Sequence, residues 1–169
     1  AVVGSKKSGK TTTIEKMIRE LTKRGYKVAA IKHVSEPNFT IDTVRKDTWK
    51  FAQSGAKTII SVATNEVATI EKVPFGSLSL ETLLKKCRGN NVVFVEGLKK
   101  LVATKKNVSK IVAVKSMKEA MKALETFEPI LTFSGPYSTE TLGFKIPYAD
   151  ALKNPEKLAD IIEGELLKK

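Results

Sequence analysis

The residues Gly4-Ser5-Lys6-Lys7-Ser8-Gly9-Lys10-Thr11 match the pattern G-x-x-x-x-G-K-[ST] at every defined position. Glycine reaches backbone angles that other residues avoid, so successive N–H groups can turn inward around an anion. A lysine after the second glycine can reach the outer phosphates of a nucleoside triphosphate, and the hydroxyl beside it suits Mg²⁺. Lys10 and Thr11 fill these places, and Thr12 extends the same segment. Lys6 and Lys7 add positive charge to the loop, within reach of the γ-phosphate of its own or a partner's nucleotide. The chemistry expected here is the binding of a nucleoside triphosphate with Mg²⁺.

Two further groups could act on the same ligand. Val92-Val93-Phe94-Val95 is an apolar run that ends in Glu96-Gly97. A buried strand closing on a carboxylate brings negative charge to Mg²⁺ or its waters, so Glu96 joins Thr11 as an expected metal group. The second group is Lys32-His33, Asp42 and Lys46-Asp47-Thr48. It follows a strand whose carboxyl end faces the same crevice as the phosphate loop in an open α/β sheet. Asp47 is the residue expected to orient the attacking water, and capping of the next helix by Asp47 or Asp42 is the alternative. With Glu96 it makes up the expected catalytic pair. For the purine, the candidate segment is Phe133-Ser134-Gly135, where a late apolar strand ends and backbone groups face the crevice.

These positions require elements to hold them. Ala1 to Val3 reads as the end of a buried strand, so the chain opens in mid-strand. Lys10 to Arg24 places Ile14, Met17, Ile18 and Leu21 on one helical stripe, and Gly25 is suited to end it. Val28 to Ile31 is a continuous apolar run, expected to be a strand covered on both faces. Asp47 to Ser54 reads as a short helix, and Thr58 to Ala63 and Val67 to Val73 as strands that pair. Ser79 begins a helix, Val92 to Val95, Ile111 to Val114 and Ile130 to Phe133 are strands, and a helix lies near Lys118 to Leu124. The last helix opens with Asn154 as cap and Pro155 in first position. Strands alternating with helices predict an α/β P-loop fold: a three-layer sandwich with a mostly parallel sheet and helices on both faces. No repeat or linker interrupts it, so residues 1–169 read as one nucleotide-binding domain.

Composition narrows the classes. The chain is 41% hydrophobic and 28% charged, as in ordinary globular proteins. No apolar run has the ~18 residues of a membrane span, and no secretory leader stands at the start. Cys87 and His33 are the only residues of their kinds, which excludes an internal disulfide, a cysteine zinc cluster and any hydrolase triad that does not use His33. The expected location is the cytoplasm. The net charge of +12 favours polyanionic partners, yet with 7% aromatics there is no array on which bases would stack, which disfavours nucleic acid.

The residues quoted above resemble the molybdopterin-guanine dinucleotide biosynthesis adaptor family, MobB. Its pattern joins the phosphate loop to a Lys-His pair, an Asp, a Gly-Lys-Asp-Ser/Thr stretch, an Ala-Gly-Ala stretch and a strand ending in Val-Glu-Gly-x-Lys. The matching residues are Lys32-His33, Asp42, Lys46-Asp47-Thr48, Gly55-Ala56 and Val95-Glu96-Gly97-Leu98-Lys99, with a similar ending at Tyr148-Ala149-Asp150 and Asn154-Pro155-Glu156-Lys157-Leu158. Departures are Val34-Ser35-Glu36 in place of further histidines, Arg45 for a glycine and Asn91 for an aspartate. There is no N-K-x-D guanine signature.

The resemblance implies a GTP-binding, weakly hydrolysing, dimeric partner of the guanylyltransferase that joins GMP to molybdopterin. GTP, Mg²⁺, that enzyme and molybdopterin itself are then the expected ligands and partners. Two other classes fit the loop alone. A small-molecule kinase would need an acceptor site and an arginine-bearing lid, and none of Arg24, Arg45 or Arg88 lies in an evident one. A nucleic-acid-dependent ATPase would show steeply salt-dependent binding.

Overall fold

The computed structural model describes residues 1–167, the side chain of Phe75 excepted. Two compact units emerge where the sequence reads as one domain: Val34–Ser79, and the remainder on either side of it.

In the larger unit, β1 (Val2–Gly4), β2 (Val28–Lys32), β5 (Val92–Glu96), β6 (Lys110–Ala113) and β7 (Ile130–Ser134) form one sheet in the order β2-β5-β1-β6-β7. Every pairing in it is parallel. All five carboxyl ends therefore leave the same edge, where loops carry function in such sheets. Side-chain alternation splits the interior. Val2, Phe94 and Ile111 pack with Ile14, Met17 and Leu21 of α1 (Lys10–Lys23) and with Leu158, Ala159 and Ile162 of α6 (Pro155–Ile162). Their neighbours Val3, Val95 and Val112 face Leu80 of α3 (Leu80–Lys85), Val102 of α4 (Lys99–Val102) and Ala120 and Ala123 of α5 (Met117–Thr126). A sheet with helices on both faces is the expected layering.

The helix ends follow local chemistry. Gly25, at φ +88°, follows the end of α1, a conformation costly for a residue with a Cβ. Asn154 accepts a hydrogen bond from Lys157 N at 3.2 Å, with Pro155 behind it, as the sequence predicts for α6. Arg24 joins the end of α1 to α6 and the residue just beyond it by donating to Asp160 Oδ1 at 2.7 Å and Glu163 Oε2 at 2.5 Å. Strand β2 differs from expectation. It is an edge strand paired only with β5, and none of its residues is fully buried. Two of its four apolar residues are alanines, so the run carries too little bulk to demand cover on both faces.

The smaller unit contains α2 (Asp47–Gln53) and an antiparallel pair, β3 (Thr58–Val62) and β4 (Val67–Glu71), in register from Thr58 opposite Glu71 to Val62 opposite Val67. Pairing of these strands agrees with the sequence reading. Ile60, Val62 and Val67 remain exposed on it. Among the described residues no helix is long and apolar enough to cross a membrane.

Candidate phosphate-binding site

Where the loop between β1 and α1 begins, at Gly4, close contacts leave no room for a side chain. A Cβ on Gly4, where φ is +152°, would lie 2.3 Å from Ala113 O and 2.5 Å from Ser8 Oγ. Lys7 and Gly9 adopt the left-handed conformation, at φ +60° and +92°. Reversals of this kind turn consecutive N–H groups toward one point. Residues Lys7 to Thr12 enclose a hollow of about 290 Å³ at the amino end of α1, where the helix dipole favours an anion. Ser8 is fully buried and its Oγ has no hydrogen-bond partner.

Amino groups converge on this loop. Lys10 Nζ bends back and donates to Ser5 O at 2.5 Å. From the other side Lys115 Nζ donates to Lys6 O at 3.0 Å. Burial holds the Lys10 pKa below the ordinary lysine range; Glu96 opposes that shift, and the positive charges of Lys99, Lys32 and Lys115 add to it. Four cations are thus concentrated beside two carboxylates, Glu96 and the Glu119 that pairs with Lys115 at 3.8 Å, and a polyanion would relieve the remaining excess of positive charge.

The Glu96 carboxylate is well placed. Its Oε1 accepts from Thr11 Oγ1 at 3.0 Å, and Oε2 sits 3.2 Å from Lys32 Nζ. Hydroxyl and carboxylate oxygens side by side form the hard-oxygen donor set that suits Mg²⁺ completed by phosphates and water. Among the described residues no three His, Cys, Asp or Glu side chains form a metal site of their own, so such an ion would arrive with its phosphates. The remaining groups have local roles in view. His33 N donates to Glu96 O at 3.0 Å, which fixes the end of β2 beside the end of β5. Asp42 Oδ1 accepts from Thr43 N at 2.9 Å and from Thr48 Oγ1 at 2.7 Å, so it organises the entry to α2. Asp47 is exposed at the start of α2 and pairs with Lys50 at 3.1 Å. It caps nothing: the N-cap of α2 is Lys46, with no side-chain bond. Ser134 is fully buried, and Gly135 lines a hollow beside the loop.

Sequence reasoning passed over Lys115. Its position just beyond β6, at the carboxyl edge of the sheet, was the available signal.

Residues 1–130 match the model of the family described as "MobB: Molybdopterin guanine dinucleotide synthesis protein B". The chain belongs to the MobB family. A Haemophilus influenzae protein named molybdopterin-guanine dinucleotide biosynthesis adapter protein is 34% identical over 100 residues, 58% of this chain and 55% of its own. A Methanocaldococcus jannaschii protein with the same name, qualified as putative, is 35% identical over 118 residues, 68% of this chain and 46% of its own. The chain therefore spans about half the length of the curated relatives it matches. A crystal structure of molybdopterin-guanine biosynthesis protein B superposes with a TM-score of 0.74 at 25% identity, covering 98% of this chain and 96% of that one. Bacillus subtilis MobB gives a TM-score of 0.73 at 19% identity, covering 99% and 97%. The MobB fold thus extends over nearly the whole chain.

Proposed function

We propose that this chain binds GTP with Mg²⁺ at the loop from Gly4 to Thr12 and serves as an adaptor in the assembly of molybdopterin guanine dinucleotide. The observation that carries the nucleotide reading is the set of four lysines around the phosphate loop, with the Thr11 hydroxyl held 3.0 Å from Glu96. The pathway follows from family membership.

In this reading the loop N–H groups cradle the inner phosphates, and Lys10 exchanges its bond to Ser5 O for the outer ones. Lys115 and Lys99 balance the remaining charge. Thr11 and Glu96 are the groups that would hold Mg²⁺, the ion that neutralises charge developing on the phosphates. Lys32 holds the Glu96 carboxylate in place through their ion pair. Asp47 carries the role of orienting the attacking water from its sequence position alone. Unassisted hydrolysis is expected to be slow, on the order of 10⁻⁴ to 10⁻³ s⁻¹, as in GTPases lacking a supplied arginine. A guanylyltransferase is the expected protein partner, molybdopterin a second ligand, the homodimer the expected state and the cytoplasm the expected location.

Calorimetric titration of GTP into wild type and Lys10→Ala is the test. Wild type should bind, and the variant should lose most of its affinity with its circular dichroism unchanged. Equal binding by the two proteins would refute the phosphate-loop reading.

A further inference from the structure

The hollow that holds the phosphate loop's ligand does not end at the loop. A second hollow of about 290 Å³ adjoins it and shares Gly9 and Thr12 with it. Its other walls are Gly135 and Pro136 beyond β7, and Asp150, Leu152 and Lys153 ahead of α6. The second hollow thus offers room for the sugar and base of a nucleotide whose phosphates fill the first.

The second hollow is a built feature. Pro147 to Ala149 runs parallel to β7, with Phe133 N donating to Pro147 O at 2.9 Å and Ala149 N to Phe133 O at 3.0 Å. Asp150 therefore leaves the same edge of the sheet as Gly135. Tyr148 Oη donates to Gly135 O at 2.7 Å and ties the two walls together. Gly135 approaches the loop so closely that a Cβ there would lie 2.9 Å from Ser8 O and 2.8 Å from Val114 O. Asp150 is oriented in turn: its Oδ1 accepts from Leu152 N at 2.8 Å and Lys153 N at 3.3 Å. Oδ2 is left to receive donors from a ligand.

We infer that this hollow holds the purine and that Asp150 is the residue that selects guanine. The inference rests on the phosphate-loop reading above and adds the base. Guanine presents two adjacent donors, N1–H and the 2-amino group, and a carboxylate can only accept. Adenine presents the N1 lone pair at the same place, which the carboxylate repels. A site built to pair with particular donors rejects analogues that lack them, because its own polar groups are then left unpaired. Pro136, Leu152 and the methylene stem of Lys153 supply apolar surface for the ring faces. The absent N-K-x-D signature is thus replaced by an aspartate from a different loop.

The test is equilibrium binding of GTP, ITP, XTP and ATP, each with Mg²⁺, to wild type, Asp150→Asn and Lys10→Ala. Wild type should prefer GTP to ATP by at least tenfold, with ITP, which lacks the 2-amino donor, in between. Asp150→Asn retains the acceptor used by Leu152 N, so the turn should persist. It should lose at least tenfold for GTP, gain affinity for ATP because the repulsion of the adenine N1 lone pair is removed, and gain affinity for XTP, whose C2 carbonyl can accept from the new amide. Gained affinity cannot arise from misfolding. Equal GTP and ATP affinity in wild type, with both lost in Lys10→Ala, would overturn the base assignment and leave the phosphate loop standing. A uniform loss across all four nucleotides in Asp150→Asn would also overturn it. Absence of any triphosphate binding by wild type would overturn both readings.

Discussion

Glu96 joins three features of the site in one side chain. It ends β5, accepts from the Thr11 hydroxyl and offsets the charge of Lys32. Glu96→Gln keeps an acceptor for Thr11 but removes the negative charge. The part of GTP affinity that depends on Mg²⁺ should fall about tenfold, roughly 1.4 kcal/mol, while affinity in EDTA is unchanged or rises. Titrations with and without the ion would show this, and an unchanged Mg²⁺ increment would remove Glu96 from the metal. Lys10 supports a second prediction. In the free protein its pKa is depressed by burial and by its lysine neighbours, against the pull of Glu96. In the alkaline window below the ordinary lysine value of about 10.4, the folded chain therefore binds fewer protons there than the unfolded chain, and this group's contribution to stability rises with pH. A bound triphosphate supplies compensating charge and raises the pKa again. Binding in that window should take up protons, and affinity should fall as pH rises. Calorimetry in buffers of different ionisation enthalpy would detect the uptake, and its absence would mean that the phosphates do not contact Lys10.

Among the elements, α1 serves both the site and the core. Its amino end faces the phosphate loop, and its buried stripe of Ile14, Met17 and Leu21 packs on the sheet with α6. Helix α6 is short and depends on its cap. Asn154→Ala removes the acceptor for Lys157 N and should cost about 1 kcal/mol in urea unfolding. Asn154 itself lines neither hollow, so GTP affinity at a temperature where the fold is intact should change far less. A loss of binding equal to the loss of stability would show that α6 and the loop are coupled. Arg24, with partners on both α1 and α6, is the side chain through which such coupling would pass.

For the whole molecule, positive charge is the property on which the proposed nucleotide binding should depend most. The net charge of +12 is spread along the chain, and the part that bears on the proposed site is the group of lysines around Lys10. GTP should raise the melting temperature in a concentration-dependent way, since a ligand of the folded state alone stabilises it by mass action. Raising salt from about 0.05 to about 0.5 M should shrink that shift, because screening weakens exposed charge pairs most. Differential scanning fluorimetry over both variables is the check, and a shift indifferent to salt would contradict the lysine cluster.

The phosphate loop, Thr11, the Glu96 strand end and the order of strands and helices, the short α4 excepted, were legible in the chain, because each rests on local rules. Glycine conformations, apolar periodicity and caps act within a few residues, and they marked α1 from Lys10 and the Asn154-Pro155 start of α6. What depends on neighbours distant in the chain became visible only in the folded molecule. Strand β2 lies at an edge, which the run Val28 to Ile31 could not reveal, since strand order is set by which crossovers pack. Lys115 reaches Lys6 O across 109 positions of sequence. Asp150 stands beside Gly135 because Pro147 to Ala149 runs alongside β7, a pairing with no local signature. A motif of contiguous residues is written in the chain itself, whereas a wall assembled from three loops exists only once the sheet has brought their ends to one edge.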